Sequence, residues 1–364
     1  MSPAGLSELE TPALVVDLPT MAKNLDRMAS YARAHGIALR PHVKTHKSTV
    51  VAAEQLGRGA VGLTCATTRE AEVMSGVTSD VLVAYPPVGA ARVRRLVSLP
   101  ESVTLTVALD SSEAIEGLAA EARRRGRAVR VYVELDLGMH RVGVPAVEQA
   151  IALARLVGER PPLEYAGIAY YPGHVRQQVD AQGDALARLA SDLGAAIDAM
   201  TRAGVAPGVV SGGSTPTAWR SHAIPGVTEI RPGTYVYNDR TTAEIGACDW
   251  ADCALTVLAT VVSTAVPGQA VIDAGSKALG REPLRADGGD GFGVLLGRRE
   301  VFVRAMSEEH GTLDLSHSDW APRVGDLVRV IPNHVCIAVH LADTVHGVAD
   351  DVIQTTWPVA ARGR

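Results

Sequence analysis

Over residues 13–236, short runs of β-branched apolar residues alternate with Ala-, Leu- and Arg-rich stretches of helical spacing. This alternation restricts the fold more than any other feature, because repeated βα units build a parallel sheet covered by helices. After the first run, residues 13–17, a helix-like segment over 21–35 places Met21, Leu25, Met28 and Ala32 at spacings of three and four. Eight further strand candidates follow, at 39–44, 61–66, 81–85, 105–109, 131–137, 165–171, 209–212 and 229–237. Eight strand-plus-helix units suit an α/β fold built on a closed (β/α)8 barrel, which usually takes about 250 residues and carries its sites at the C-terminal strand ends. An open doubly wound sheet is the alternative, although no strand here runs into a G-x-G-x-x-G turn.

From Cys253 onward the pattern changes. Segments 255–262, 270–272, 292–296, 301–304 and 327–331 are strand-like, with Pro, Gly and Asp between them, and read as a C-terminal, mostly antiparallel β domain. The first run, 13–17, is free to pair with it. The expected division is therefore a barrel over 20–245 and a discontinuous β domain from 1–19 and 246–364. The Arg123 to Arg127 cluster reads as a solvated helix end.

With 364 residues, 47% of them hydrophobic, the chain can bury a large core without disulfide staples. A net charge of -5, with no dense basic stretch, argues against nucleic acid or a membrane as partner and leaves small-molecule chemistry. Cys65, Cys248, Cys253 and Cys336 form no CxxC pair, which fits a reducing, cytoplasmic setting. Residues 1–12 show no charged-then-apolar leader, and no apolar run reaches the ~18 residues of a membrane span, so neither secretion nor membrane insertion is expected.

Six segments carry candidate chemistry. Arg40-Pro41-His42-Val43-Lys44-Thr45-His46-Lys47 ends the first barrel strand and gathers five potentially cationic side chains. Neighbouring cations disfavour an ammonium, lower its pKa and free an amine to attack a carbonyl, so Lys44 is either a nucleophile or part of a basic turn or anion site. Ser211-Gly212-Gly213-Ser214-Thr215-Pro216-Thr217 follows the seventh strand and Arg231-Pro232-Gly233-Thr234-Tyr235 the eighth, where barrels frequently hold phosphate; flexible turns are the alternative. Arg141 lies past the fifth strand and His174 past the sixth, placed either to hold an anionic ring oxygen and move a proton, or as a salt-bridged arginine and a satisfied histidine. Asn333-His334-Val335-Cys336 follows the strand at 327–331. If that strand continues, the period of two sets His334 and Cys336 on one face as a metal pair; the alternative is a core His and Cys. Ser307 to Gly311 supplies polar groups nearby or forms a turn.

Together these segments resemble the D-threonine aldolase and D-serine dehydratase family of fold-type III pyridoxal-phosphate enzymes, whose barrel is related to that of alanine racemase. The resemblance spans nearly the whole chain, from Leu9-Glu10-Thr11-Pro12-Ala13 through R-P-H-V-K-T-H-K, D-L-G-M-H-R-V-G, the Gly-Ser loop, R-P-G-T-Y-V and D-A-G-S-K-A-L to P-N-H-V-C. It implies that Lys44 forms the Schiff base with pyridoxal 5'-phosphate, that Arg141 lies near the cofactor's phenolic oxygen, and that Tyr171 lies close to the pyridine ring. Gly213, Ser214, Gly233 and Tyr235 fall where the family binds the phosphate, and His334 with Cys336 where it binds a divalent metal, zinc first, with manganese or magnesium as alternatives. The expected partner is a small D-amino acid and the expected assembly a homodimer. His-x-Cys with zinc looks like the dehydratase branch, giving a 2-oxo acid and ammonia from a D-3-hydroxy amino acid such as D-serine or D-threo-3-hydroxyaspartate. The aldolase branch would instead cleave Cα–Cβ to glycine and an aldehyde, with His174 or a bound water taking the hydroxyl proton. An amino-acid racemase and a non-catalytic pyridoxal-phosphate carrier are the other readings.

Overall fold

The computed structural model describes residues 5–286 and 290–363, so the first four residues of the 1–12 segment lie outside the described residues. Strand β1 (Ala13–Asp17) runs into helix α1 (Leu18–Ala34). Asp17 caps that helix, its carboxylate accepting the Thr20 N–H at 2.9 Å, and Met21, Leu25, Met28 and Ala32 form its buried stripe.

Eight parallel strands follow: β2 (Ala38–Leu39), β3 (Leu63–Cys65), β4 (Asp80–Val83), β5 (Thr104–Leu109), β6 (Val129–Leu135), β7 (Leu163–Tyr170), β8 (Val209–Gly212) and β9 (Glu229–Ile230). Between them lie α2 (Thr49–Gly57), α3 (Thr68–Met74), α4 (Ala90–Val97), α5 (Ser112–Arg125), α6 (Val147–Gly158) and α7 (Gly183–Arg202), and α8 (Arg240–Glu244) comes after the last strand. The sheet runs β2-β9-β8-β7-β6-β5-β4-β3. A parallel bridge between His42 and Thr64, with the Val43 N–H donating to the Thr64 carbonyl at 2.9 Å, joins its two ends. The sheet is thus a closed (β/α)8 barrel, not an open one. Its first and last strands are shorter than their apolar runs predict, ending at Leu39 and Ile230, because Pro41 and Pro232 have no N–H to continue a ladder. Inside the barrel Arg40 donates to Glu229 and Asp80, both at 2.7 Å, and the Ser211 hydroxyl donates to Glu229 at 2.5 Å.

The second unit contains β10 (Leu255–Ser263), β11 (Gln269–Ile272), α9 (Ser276–Leu279), β12 (Gly293–Leu295), β13 (Arg298–Met306), β14 (Gly311–Asp314), β15 (Leu327–Pro332), α10 (Val335–Leu341), β16 (Thr344–Ala349) and β17 (Val352–Pro358). Strand order is β11-β14-β13-β12-β15-β10-β1-β16-β17, and a second pairing of β11 with β10 closes the first six into an antiparallel barrel. β1 sits between β10, antiparallel with Val15 opposite Thr256, and β16, parallel with Val15 opposite His346. Residues 307–310 make the turn between β13 and β14.

Two expectations need correction. The Arg123 to Arg127 cluster is only partly solvated: Arg127 turns inward and donates to the carbonyls of Leu99, Pro100 and Val103. The strand before His334 also does not continue, since it ends at Pro332 and α10 begins at Val335 with His334 at its N-cap. Among the described residues no helix is long and apolar enough to cross a membrane.

Candidate active site

The first barrel strand delivers its basic run to the C-terminal mouth, where the side chains separate by environment. Arg40 is consumed by Glu229 and Asp80, and Lys47 by a buried contact with Glu70. Burial drives the His46 imidazole down to about 4, with its Nε2 against Gln55 Oε1 at 3.2 Å. Burial, helped by Lys44 and Arg231, also holds His42 well below the ordinary imidazole value. Of the five, Lys44 enters the pocket and makes no ion pair among the described residues; its Nζ stands 5.6 Å over the Tyr171 ring.

That pocket, with about 80 Å³ of free space, is lined by Lys44, His42, Glu134, Arg141, Tyr171, Gly213, Ser214, Thr215, Arg231, Gly233 and Thr234 among others. Gly213 takes the left-handed φ of 82° that glycine alone adopts without strain. A Cβ on Gly233 would come within 2.8 Å of Thr45 Oγ1 and 3.0 Å of the His42 carbonyl, so backbone replaces side chain at the cradle. The 3-10 helix Thr215–Ala223 starts at the pocket wall and turns its N-terminal end toward it. Lys44, Arg141 and Arg231 set three cations against the one carboxylate of Glu134, an excess suited to a phosphate dianion. Among the described residues Glu134 Oε2 and Arg231 Nε are buried with no hydrogen-bond partner, although Arg231 Nη2 donates to the Tyr170 carbonyl at 2.8 Å. Unpaired buried polar atoms beside a glycine cradle and a free lysine fit a polar aromatic cofactor with a phosphate arm.

The β domain brings His334 and Cys336 beside this mouth of the barrel. His334 and Cys336 are brought together by the first turn of α10, not by strand alternation as the sequence pattern suggested. Asp239, fully buried, accepts from His334 Nδ1 at 2.9 Å and from the Val335 N–H at 3.3 Å, which leaves Nε2 for a metal. Burial works against charge at both residues, yet the neighbours together outweigh it: Cys336 and Asp239 hold His334 well above the usual imidazole value, and His334, Lys44 and Thr45 hold the Cys336 thiol below the usual thiol value. Thr45 Oγ1 lies 3.3 Å from Cys336 Sγ, so the residue after Lys44 touches the candidate ligand. Among the described residues no cluster of three or more His, Cys, Asp or Glu could hold a metal, so a metal here would have two protein ligands and open positions.

The pocket therefore gathers Lys44, Arg141, Tyr171, Gly213, Ser214 and Gly233, with His334 and Cys336 alongside. Two expected residues lie elsewhere. Tyr235 is buried with its hydroxyl accepting from Gln55 at 3.0 Å and its N–H donating to Thr215, so its side chain faces the core and not the phosphate cradle. His174 packs on Gly138 and lines an adjoining cavity of about 590 Å³ with Asp136 and His140. Sequence reasoning missed Glu134, Arg231 and Asp239 as site residues. Arg231 stood inside a motif already singled out, whereas Asp239 becomes visible only when α8 and α10 meet.

Comparison with known proteins identifies the family. Residues 16–241 match the alanine racemase N-terminal domain model and residues 254–348 the putative serine dehydratase domain model. The chain is 34% identical to 3-hydroxy-D-aspartate aldolase of Paracoccus denitrificans, covering 98% of this chain and 93% of that one. It is 36% identical to D-threo-3-hydroxyaspartate dehydratase of Delftia sp., covering 97% of each. A solved variant of that dehydratase in a metal-free form superposes with a TM-score of 0.91 at 33% identity, over 99% of this chain and 100% of that one. D-threonine aldolase from Filomicrobium marinum superposes with a TM-score of 0.90 at 31% identity, over 99% and 98%. The chain belongs to the D-threonine aldolase and D-serine dehydratase family of fold-type III pyridoxal-phosphate enzymes, and it is a lyase of that family.

Proposed function

We infer that this lyase acts on a D-configured 3-hydroxy amino acid, binding pyridoxal 5'-phosphate at Lys44 and a divalent metal, zinc first, at His334 and Cys336, and that it eliminates the 3-hydroxyl to give a 2-oxo acid and ammonia. The observation that carries this reading is the contact of Thr45 with Cys336, which sets the amine of the barrel beside the metal pair of the β domain. Gly213, Ser214, Gly233 and the N-terminal end of the 3-10 helix would receive the phosphate, and Arg141 the phenolic oxygen. The cofactor, when bound, supplies an electron sink for the bond broken at Cα.

Lys44 would take the Cα proton of the substrate, a role its position over the Tyr171 ring and beside the Thr45–Cys336 contact supports. His334 and Cys336 would hold a Lewis acid against the substrate's 3-hydroxyl, which favours its departure. Asp239 would keep His334 oriented with Nε2 available to that metal. A cytoplasmic homodimer is the setting this reading implies.

Retro-aldol cleavage is the second reading, favoured by the likeness to the Paracoccus aldolase. There His174, or a water it holds, would take the hydroxyl proton; this requires His174 to move out of its adjoining cavity. Incubating protein reconstituted with pyridoxal phosphate and Zn²⁺ or Mn²⁺ with D-threonine separates the two, with L-threonine as control. 2-Oxobutanoate and ammonia are the expected products; glycine and acetaldehyde would replace the elimination reading with the aldol one.

A further inference from the structure

Glu134 and Arg141, an acid and a base of the Lys44 pocket, make no side-chain hydrogen bond among the described residues. Glu134, on β6, is 3% exposed, and its Oε2 is buried with no hydrogen-bond partner among the described residues. Arg141 lines the same pocket; its guanidinium rests 4.9 Å over the Tyr171 ring and donates no side-chain hydrogen bond among the described residues. A buried carboxylate without a partner is costly and favours any arrangement that brings it a donor. Arg231 also faces Glu134 and its Nε is buried without a partner among the described residues, but its Nη2 is anchored by the carbonyls of Tyr170 and Ser211, whereas no hydrogen bond among the described residues anchors the Arg141 guanidinium.

The backbone keeps that cation within reach. After Glu134 the chain leaves β6, turns through Gly138 and returns, and the Val144 N–H donates to the Glu134 carbonyl at 2.9 Å while the Asp136 N–H donates to Val144 at 3.0 Å. Gly143 closes this loop at a φ of 101°, where a Cβ would meet Asp136 N at 2.6 Å. Arg141 thus rides on a loop whose two ends are clamped together at Glu134.

We propose that Glu134 is the positioning residue for Arg141, drawing its guanidinium off the Tyr171 face into the filled pocket and fixing it against the bound cofactor ring. The inference rests on the pyridoxal-phosphate reading above. It assigns a role to a carboxylate that the proposed chemistry otherwise leaves idle. Asp110 and Asp136 lie close enough to add negative charge, yet Asp136 is already engaged with His140 and Asp110 with the Gly143 N–H.

The test uses the full-length protein and pyridoxal phosphate itself in a double-mutant cycle of Glu134→Gln and Arg141→Met. Dissociation constants come from titration of the visible band, the pH midpoint of that band from a second titration, and melting temperatures from the cofactor-free protein. Glu134→Gln should weaken cofactor binding about tenfold and move the pH midpoint, as expected for losing a charged hydrogen bond. It should also raise the melting temperature of the cofactor-free protein, because an unpaired buried charge is gone. In the Arg141→Met background the same change should have no further effect on affinity or midpoint. Independent, additive losses, or an affinity and midpoint unchanged in Glu134→Gln, would overturn the pairing while leaving the cofactor reading intact. Failure of the unaltered protein to take up pyridoxal phosphate would remove that reading, and this inference with it.

Discussion

Replacing Asp239 with asparagine isolates what its charge does for His334. Asp239 Oδ1 caps α8 by accepting the Thr242 N–H at 2.9 Å, and asparagine caps helices as well as aspartate does, so the fold should hold. The other oxygen serves His334 Nδ1 at 2.9 Å and the Val335 N–H at 3.3 Å. Asparagine has one acceptor oxygen for these three donors and no charge to stabilise a metal-bound imidazole. Removing such an outer carboxylate typically costs about 10- to 100-fold in metal affinity. At about 1.4 kcal/mol per tenfold this corresponds to about 1.4 to 2.8 kcal/mol. Competition for Zn²⁺ against a chromogenic chelator measures the affinity, and thermal unfolding checks the fold. An unchanged zinc affinity in a variant of unchanged melting temperature would refute the claim that Asp239 orients a metal-binding His334.

The same pair sets a pH dependence for metal uptake. Their mutual attraction holds His334 up and Cys336 down, and a metal binds only the deprotonated imidazole and thiolate, so zinc affinity should climb with pH, with proton release on binding measurable in weakly buffered solution. Cys336→Ala should abolish turnover yet leave the bound cofactor's visible absorbance in place, and turnover persisting without added metal would contradict it. Gly233→Ala should lose cofactor binding by at least about tenfold, because its Cβ meets Thr45 Oγ1 at 2.8 Å and the His42 carbonyl at 3.0 Å; an unchanged dissociation constant would show that the cradle lies elsewhere. His46 stays neutral in the fold down to about 4, whereas in the unfolded chain it takes a proton near 6.5. Its stabilising contribution is complete above that unfolded value and falls by about 3 kcal/mol as pH drops through this window, so His46→Gln should flatten that part of a denaturant stability profile.

The barrel was legible because its period is built into the chain: apolar strands and amphipathic helices must alternate to cover both faces of a parallel sheet. The strands β14, β16 and β17 were not, since stretches such as Gln354-Thr355-Thr356 are exposed and carry no apolar alternation. At the site, Lys44, Gly213, Gly233 and the His334–Cys336 pair stood out by residue type and motif. What stayed hidden was pairing across long separations. The basic run suggested a crowd of cations, yet Glu229, Asp80 and Glu70 disperse it, and only the closed barrel reveals that Arg40 belongs to its interior. The metal pair was found for the wrong local reason, a strand continued past Pro332, because the two-residue spacing of a strand also fits the first turn of a helix reached from its N-cap.

The place of β1 in the second sheet bears on how the chain reaches this state during synthesis. β1 emerges before the barrel, yet its neighbours β10 and β16 are made only after it. Until then its two edges have nothing to pair with, and an apolar strand left in that condition is open to wrong partners. Joining ends so far apart would be slow in a free chain. The barrel removes most of that search: once folded, it replaces a long flexible loop with a rigid body whose entry and exit lie side by side, so the last strands have a short distance left to close. A circular permutant that begins near residue 246 and carries β1 after β17 would let the β domain form as one continuous stretch, and refolding should then be faster than in the natural order.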